Sequence, residues 1–237
     1  MYEEAVDCLL DGAPSDPRLF DRAKGCVAQI RDPNIAGRLN DRILNRERST
    51  GIQKGDINVM VNTGEVDKAI GLLIEQGKWP QALELANSNK VLTKYLMRYA
   101  KAMMESGRFG ETIAAFAKYG LPLNPNFYAA YKTLILEIFA ECDPNEVRDL
   151  RKALYDFVTT LEEQGEANTP AGKEFMKYLT AAHLVNLRPV LEKKGLNKLV
   201  GKLLISLLRY SDLIKIDKLY YEAGMSAKQQ VNLFTLS

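Results

Sequence analysis

The sequence has little of the chemistry on which enzymes and metal sites depend. Its 237 residues include one histidine and three cysteines, and the cysteines (Cys8, Cys26 and Cys142) lie far apart without a CxxC pair. This spacing argues against a cysteine-based zinc site and a disulfide framework, and it favours a reducing compartment. No GxxxxGK[ST], GxGxxG or GxSxG motif is present, so neither a phosphate-binding loop nor a nucleophile elbow is expected. We therefore predict no enzyme, no catalytic residue, no cofactor and no metal.

The single histidine, His183, lies one turn after Leu179 on a predicted helix. A catalytic or metal-binding role needs a companion side chain, and none is visible in the sequence. The favoured interpretation is a structural histidine whose ring nitrogens have hydrogen-bond partners.

Long apolar runs are also missing. No stretch reaches the roughly 20 residues that a transmembrane helix needs. The segment Met1-Tyr2-Glu3-Glu4 is acidic, whereas a signal peptide begins with basic residues before an apolar core. We predict an intracellular protein without a membrane-inserted segment. The formal net charge of +2 argues neither for nor against nucleic acid.

Apolar residues at helical spacing are abundant. Steps of three and four residues place each apolar set on one stripe of a helix, and no convincing run of period two indicates a strand. Short connections imply that neighbouring helices are antiparallel. A capping residue followed by proline predicts helix starts at Asp16-Pro17, Asp32-Pro33, Asn124-Pro125, Asp143-Pro144 and Thr169-Pro170. Glycines that favour a left-handed cap predict helix ends at Gly107, Gly120, Gly165 and Gly195.

A degenerate repeat begins at several of the glycines. Its frame is glycine, any residue, a bulky apolar residue, two further residues, and a small residue. In tetratricopeptide-like helix pairs such a frame supplies a tight turn, a wedge at the start of the second helix and a close helix contact. It occurs in Gly64-Glu-Val66-Asp-Lys-Ala69, Gly77-Lys-Trp79-Pro-Gln-Ala82 and Gly107-Arg-Phe109-Gly-Glu-Thr112, and without its glycine in Tyr2-Glu-Glu-Ala5. The sequence predicts an all-α, tetratricopeptide-like α-solenoid of antiparallel helix pairs without a sheet; the alternative is a set of unrelated helical hairpins.

The predicted organisation has four parts. Helical repeats at 1–44 precede a flexible link at 45–58, where charge is high and apolar residues are few. Tetratricopeptide-like repeats follow at 59–120, and a C-terminal helical-repeat segment occupies 121–237. Because the chain opens in the second helix of a pair and ends without a polar cap, we predict a fragment of a longer protein.

Charge is unevenly placed in the last part of the chain. Residues 137–163 have a net charge of −5, and residues 188–218 have a net charge of +5. We call these stretches the acidic block and the basic block. Both are interpreted first as solvated outer faces, and the alternative is that they steer a charged partner. Within the basic block, the apolar side of 198–209 favours a buried solenoid helix over a membrane-surface helix.

Two aromatic features leave alternatives open. Trp79 occupies the bulky position of the repeat frame, which favours core packing over a role as a binding hot spot. Phe127, Tyr128 and Tyr131 are also interpreted as core residues. Tyr128 is the ring that would face a partner in the alternative interpretation.

Several later motifs resemble one family in their order and spacing. They are Glu75-Gln-Gly-Lys-Trp79, Tyr119-Gly-Leu-Pro-Leu-Asn-Pro-Asn126 with Tyr131-Lys132, Glu166-Ala-Asn-Thr-Pro-Ala171 with Glu174-Phe175, Ser206-Leu-Leu-Arg209, and Asp217-Lys218 with Tyr221-Glu-Ala-Gly-Met-Ser-Ala-Lys228. Together they resemble the carboxy-terminal solenoid of the intraflagellar transport protein 172 family. The resemblance runs from about Val66 to Lys228 and is weak between Met1 and Asp56, and residues 229–237 depart from the family pattern.

The resemblance implies a function that composition alone does not. Members of this family are long scaffolds with amino-terminal β-propellers and belong to the peripheral part of intraflagellar transport complex B. That complex carries cargo along the ciliary axoneme and is required to build and maintain cilia. The resemblance thus implies a location at the cilium or flagellum and basal body, on the cytoplasmic side. It also implies contacts with other complex B subunits, and with complex A at the ciliary tip.

Other functional classes are weighed against this one. A membrane-coat or vesicle-tethering adaptor would share the same architecture, so fold does not separate it from a transport scaffold. A nucleic-acid-binding repeat would need basic and polar reading positions in each repeat, yet the repeat turns carry Glu65, Asp67 and Glu111. We therefore predict protein partners, no nucleic acid and no stable membrane insertion; the oligomeric state stays open.

Overall fold

The computed structural model describes residues 2–16, 18–214, 220–225 and 227–228, with only the backbone of Tyr2. None of these residues lies in a β-strand, and the predicted all-α, solenoid-like succession of helix pairs is confirmed. Residues 220–225 are also helical. Two short 3-10 turns occur at Pro125–Phe127 and Leu208–Tyr210. The longer helices are α1 (Tyr2–Gly12), α2 (Arg18–Val27), α3 (Pro33–Lys54), α4 (Ile57–Asn62), α5 (Val66–Glu75), α6 (Trp79–Ser88), α7 (Leu92–Glu105), α8 (Phe109–Tyr119), α9 (Tyr128–Glu141), α10 (Pro144–Glu163), α11 (Pro170–Lys193) and α12 (Asn197–Leu207).

The chain forms two compact units, Met1–Tyr95 and Leu96–Ser237. In the first unit each of the helices α1 to α5 packs on the next one along the chain. Apolar stripes of α1, α2 and α3 meet in one core, because each stripe is buried only when a neighbouring helix covers it. That core includes Val6, Leu10, Phe20, Ala23, Val27, Leu39 and Ile43.

In the second unit α10 packs against both α8 and α11, and α11 packs against α12. Aromatic rings fill the space between these helices, mostly edge to face, which is the arrangement that the ring quadrupoles favour. The ring centroids of Phe157 and Phe175 lie 4.9 Å apart, and those of Phe116 and Tyr131 lie 5.6 Å apart. A smaller apolar cluster joins α11 and α12 to residues 220–225 through Ala223.

The repeat frame corresponds to one local structure. Gly64, Gly77 and Gly107 have φ angles of +82°, +72° and +71°, a region that side chains with a Cβ atom rarely enter. The next residue donates a backbone hydrogen bond back to the helix, as from Lys78 to Leu73 at 2.8 Å, which is the pattern of a Schellman cap. The small residues of the frame are completely buried; they are Ala69, Ala82 and Thr112.

The frame does not extend to the first helix. There Ala5 is exposed and the next residue, Val6, is buried instead. One residue is 100° on a helix, so the buried stripe of α1 is rotated relative to that of the glycine-led repeats. The prediction for Tyr2-Glu-Glu-Ala5 is wrong at Ala5, and the Tyr2 side chain lies outside the described part.

The capping signals are confirmed where they are described. The side chain of Asp143 accepts hydrogen bonds from the backbone N–H groups of Asn145 and Glu146 at 2.9 and 3.2 Å. Thr169 Oγ1 accepts from Gly172 at 3.1 Å. The predicted stops at Gly107, Gly120, Gly165 and Gly195 all have positive φ. The start predicted at Asp16-Pro17 falls on Pro17, outside the described residues, and α2 is assigned from Arg18.

The structure corrects the prediction of a flexible link at 45–58. Helix α3 continues through this stretch to Lys54, Gly55 closes it with φ +71°, and Asp56 caps α4. Thr50 and Gly51 are buried, and Gly51 lies so close to Val59 that no Cβ atom would fit. This contact anchors α3 to α4 although the stretch has few apolar residues. The boundaries at 44, 58 and 120 stay a prediction.

Candidate partner-binding site

A surface cavity of about 430 Å³ lies in the second unit. Its walls are formed by the end of α9, the start of α10, the second half of α11, the end of α12, Ile214 and Glu222. Most of the lining is apolar and includes Phe139, Ala140, Val147, Val185, Leu207 and Ile214. This volume falls in the range of cavities that bind ligands or partner side chains.

Each wall contains a residue that is unfavourable in a regular helix. Cys142, between α9 and α10, has a φ of +54°, which is sterically unfavourable for a residue with a side chain. On the opposite wall Pro189 lies inside α11. Proline has no N–H group, so the Val185 carbonyl lacks its usual donor four residues on. Both Pro189 and Val185 line the cavity.

A half-buried amide holds the two walls together. The side-chain N–H groups of Asn186 donate to the carbonyl of Val147 and to that of Ala182, both at 2.9 Å. The first bond ties α11 to the start of α10, and the second ties the amide to its own helix. Because the donors of Asn186 are used in this way, the residue positions the cavity walls and does not offer donors to a ligand.

One guanidinium group links α11 to the helical residues 220–225. Arg188 donates to Glu192 at 2.7 Å and to Glu222 at 2.5 Å. Burial lowers the pKa of Arg188, but its hydrogen bonds to Glu222 and Glu192 outweigh that effect and raise the pKa above its ordinary value. The charged lining residues are three carboxylates (Glu141, Glu192 and Glu222) against this one guanidinium, which leaves a net charge of −2.

Further negative charge lies at the junction of α9 and α10. Burial raises the pKa of Glu146, and repulsion from Asp143 and Glu141 raises it further. Glu141 lines the cavity, and Asp143 caps the helix that forms one wall. Glu141 therefore supplies the negative charge at this end of the cavity, whereas the Glu146 carboxylate lies against Gly110 of α8.

The two charged blocks lie on the surface wherever they are described. Every acid of the acidic block is at least partly exposed, and Glu141 brings the first part of the block to the cavity. In the basic block Lys193, Lys194, Lys198 and Lys202 are exposed. Within α12, four apolar residues are buried (Val200, Leu203, Leu204 and Leu207), as expected for a solenoid helix. Lys215, Asp217 and Lys218 lie outside the described residues.

The structure also shows where His183, Trp79 and Tyr128 lie. His183 is exposed on α11, and no hydrogen bond to it is found in the described part, so the prediction of a partnered structural histidine is wrong. Trp79 is half-buried. Tyr128 belongs to the aromatic core, 5.1 Å from Phe175 between ring centroids, and its hydroxyl is buried without a hydrogen-bond partner among the described residues.

Neither a metal centre nor a membrane span is found in the described residues. No three side chains of histidine, cysteine, aspartate or glutamate are grouped there as metal ligands would be. No described helix has both the length and the apolar character needed to cross a bilayer.

Sequence reasoning did not find the cavity. It is formed by residues far apart in sequence, between Phe139 and Glu222. Two signals were available, namely a proline within a predicted helix at Pro189 and the helix junction at Cys142-Asp143. Neither signal shows that these two positions share one cavity.

Helix pairs with glycine-closed turns define an all-α, solenoid-like repeat protein. No family model matches the chain. Intraflagellar transport protein 172 homolog from Homo sapiens is 30% identical over 237 residues, which is 96% of this chain and 13% of the relative. Intraflagellar transport protein osm-1 from Caenorhabditis elegans is 32% identical over 174 residues, 69% of this chain and 10% of the relative.

A more distant relative extends the comparison to an alga. Intraflagellar transport protein 172 from Chlamydomonas reinhardtii is 25% identical over 223 residues, 88% of this chain and 12% of the relative. The chain is thus homologous, over nearly its whole length, to a segment of the intraflagellar transport protein 172 family. It spans about 13% of the length of the human relative.

Proposed function

We propose that this chain is a non-catalytic scaffold segment of intraflagellar transport complex B. It mediates protein–protein contacts needed for ciliary transport and for the assembly and maintenance of cilia. Its partners are other transport subunits, of complex B and of complex A at the ciliary tip. It acts at the cilium or flagellum and the basal body, on the cytoplasmic side.

The observation that carries this proposal is homology along 96% of the chain to a protein named for intraflagellar transport. The fold adds physical support, because a stack of helix pairs offers an extended surface on which several partners can bind at once. The cavity adds a place where apolar side chains of a partner would be removed from water, which is the main source of affinity between proteins.

An affinity purification from ciliated cells tests the proposal. The natural full-length protein that contains this segment is tagged and compared with the same protein lacking residues 137–222. Recovery of transport-complex subunits by the first, and a reduced recovery by the second, is the expected result. If both recover the same subunits in equal amounts, this segment is not a scaffold contact. Recovery of membrane-coat or tethering subunits would favour the adaptor alternative.

A further inference from the structure

We infer that the cavity between α9, α10 and α11 binds a basic amphipathic helix of a partner protein, with apolar side chains in the cavity and lysine or arginine against its acidic mouth. This inference rests on the proposed function, since it assigns one of the scaffold's contacts to a particular site and a particular partner chemistry.

The apolar lining shows which part of the partner enters. Phe139, Val147 and Leu207 contribute to a wall that is mostly hydrocarbon. Sites for small polar ligands instead need several polar groups that converge on the ligand. Here the two polar side chains best placed for that role are already occupied. Asn186 donates to Val147 and Ala182, and Arg188 donates to Glu192 and Glu222.

The charge at the mouth of the cavity indicates which partner residues lie beside the apolar side chains that enter it. Three carboxylates and one guanidinium line the cavity. Arg188 pairs with Glu192 and Glu222, and no ion pair with Glu141 is found among the described residues. A cation of the partner would pair with Glu141 and offset the net negative charge of the lining. A partner carboxylate would be repelled by Glu141, so the site discriminates by sign as well as by shape.

A helix is the element that combines both properties. Residues at i, i+3, i+4 and i+7 put two or three apolar side chains on one face, and basic residues at the edges of that face reach the rim of a groove.

Peptide binding to the purified 237-residue chain tests this inference. The probes are three fluorescein-labelled helical peptides. The first has leucines at i, i+3, i+4 and i+7 with flanking lysines; the second has the same leucines with flanking glutamates; the third keeps the lysines and replaces the leucines by serines. Fluorescence anisotropy should show that the first peptide binds at least about tenfold more tightly than either of the others.

Two variants locate the binding. Ala140→Phe fills the cavity and Glu141→Lys reverses a charge at its mouth, and each should weaken binding of the first peptide by about tenfold. The matched control is Glu162→Lys, which makes the same charge change at an exposed position at the far end of α10 and should change the affinity by less than about twofold. Circular dichroism melts confirm that all variants are folded.

Three results would overturn the inference. Equal binding of the lysine and glutamate peptides would remove the charge argument. An equal loss in Glu162→Lys and Glu141→Lys would show that only overall charge matters. If the chain binds no peptide but associates with itself through Glu141, as judged by sedimentation of wild type and Glu141→Lys, the occupant is a second copy. None of these results depends on recovery of transport subunits from cells, so the proposed function is judged separately.

Discussion

At the scale of single residues, the aromatic core contains two tyrosines with opposite hydrogen-bonding situations. Tyr131 is buried and its hydroxyl donates to the Pro122 carbonyl at 2.9 Å, whereas the buried hydroxyl of Tyr128 has no partner among the described residues. Burial raises the pKa of both phenols, so both stay neutral near pH 7. A paired hydroxyl contributes to stability, while an unpaired one costs its lost hydration.

The two tyrosine-to-phenylalanine variants should therefore change the free energy of unfolding in opposite directions. Tyr131→Phe should lower the free energy of unfolding by about 1 kcal/mol, and Tyr128→Phe should leave it unchanged or raise it by about 1 kcal/mol. Urea denaturation followed by circular dichroism measures both. A loss in Tyr128→Phe as large as that in Tyr131→Phe would show that the Tyr128 hydroxyl has a partner.

Two glycines of the first unit allow a second comparison, between two glycine-to-alanine variants with opposite expected effects on stability. Gly77 has a φ of +72° in a repeat turn, whereas Gly71 lies inside α5 with no packing neighbour within 4 Å of the place where a Cβ atom would lie. Gly77→Ala should destabilise the protein by about 1 kcal/mol, because alanine is strained in that conformation. Gly71→Ala should stabilise it by about 0.5–1 kcal/mol, because alanine loses less entropy in a helix. Thermal melts of both variants check the signs, and a stable Gly77→Ala protein would contradict the role of the turn.

These residues also show what sequence alone can predict. The glycine turn and the small residue of the repeat frame are local features, and the predictions for Gly77 and Ala82 are confirmed because each requirement acts over a few residues. The prediction for Ala5 is wrong because its frame has no glycine to fix the register. The exposure of His183 depends on which helix face meets a neighbour, and a single residue cannot indicate that.

At the scale of helices, α3 shows how tertiary contacts determine the secondary structure of a segment whose local sequence pattern is weak. The stretch 45–54 has charged residues and a glycine, which locally favour a loop. The close packing of Gly51 against Val59 and the 2.9 Å ion pair between Arg48 and Glu65 both involve residues beyond the end of α3. Arginine, glutamate and glutamine are compatible with a helix, so these contacts suffice to continue it.

The start of α10 gives a pH-dependent prediction. Burial and the neighbouring Asp143 and Glu141 carboxylates raise the pKa of Glu146, so the folded protein holds this proton more tightly than the unfolded chain does. Stability falls as pH rises from the unfolded pKa, about 4.3, through the folded pKa. Glu146→Gln should therefore raise the free energy of unfolding at about pH 7, and this gain should vanish at about pH 3.

Urea denaturation at the two pH values measures the effect. Glu137→Gln, an equal charge change at an exposed position on α9, is the control and should alter stability by less than about 0.5 kcal/mol. A gain in Glu146→Gln that persists at the lower pH would mean that packing, and not charge, is responsible.

At the scale of the whole molecule, the all-α fold class follows from periodicity, caps and glycine turns, because each acts within one or two helices. The cavity does not follow from them. It requires that the α9–α10 junction, Pro189 of α11 and Glu222 lie together, and this arrangement depends on how several helices pack. The acidic block was visible in the sequence, but its position at a cavity was not.

The central claim is that this segment contacts other transport subunits through the second unit. Cross-linking mass spectrometry of assembled transport complexes from ciliated cells tests it most directly. We predict cross-links from residues 137–163 and 188–218 to other subunits, with lysine-bearing helical segments opposite Glu141. If both blocks are cross-linked only within their own chain while the rest of the complex is densely cross-linked, the account is contradicted.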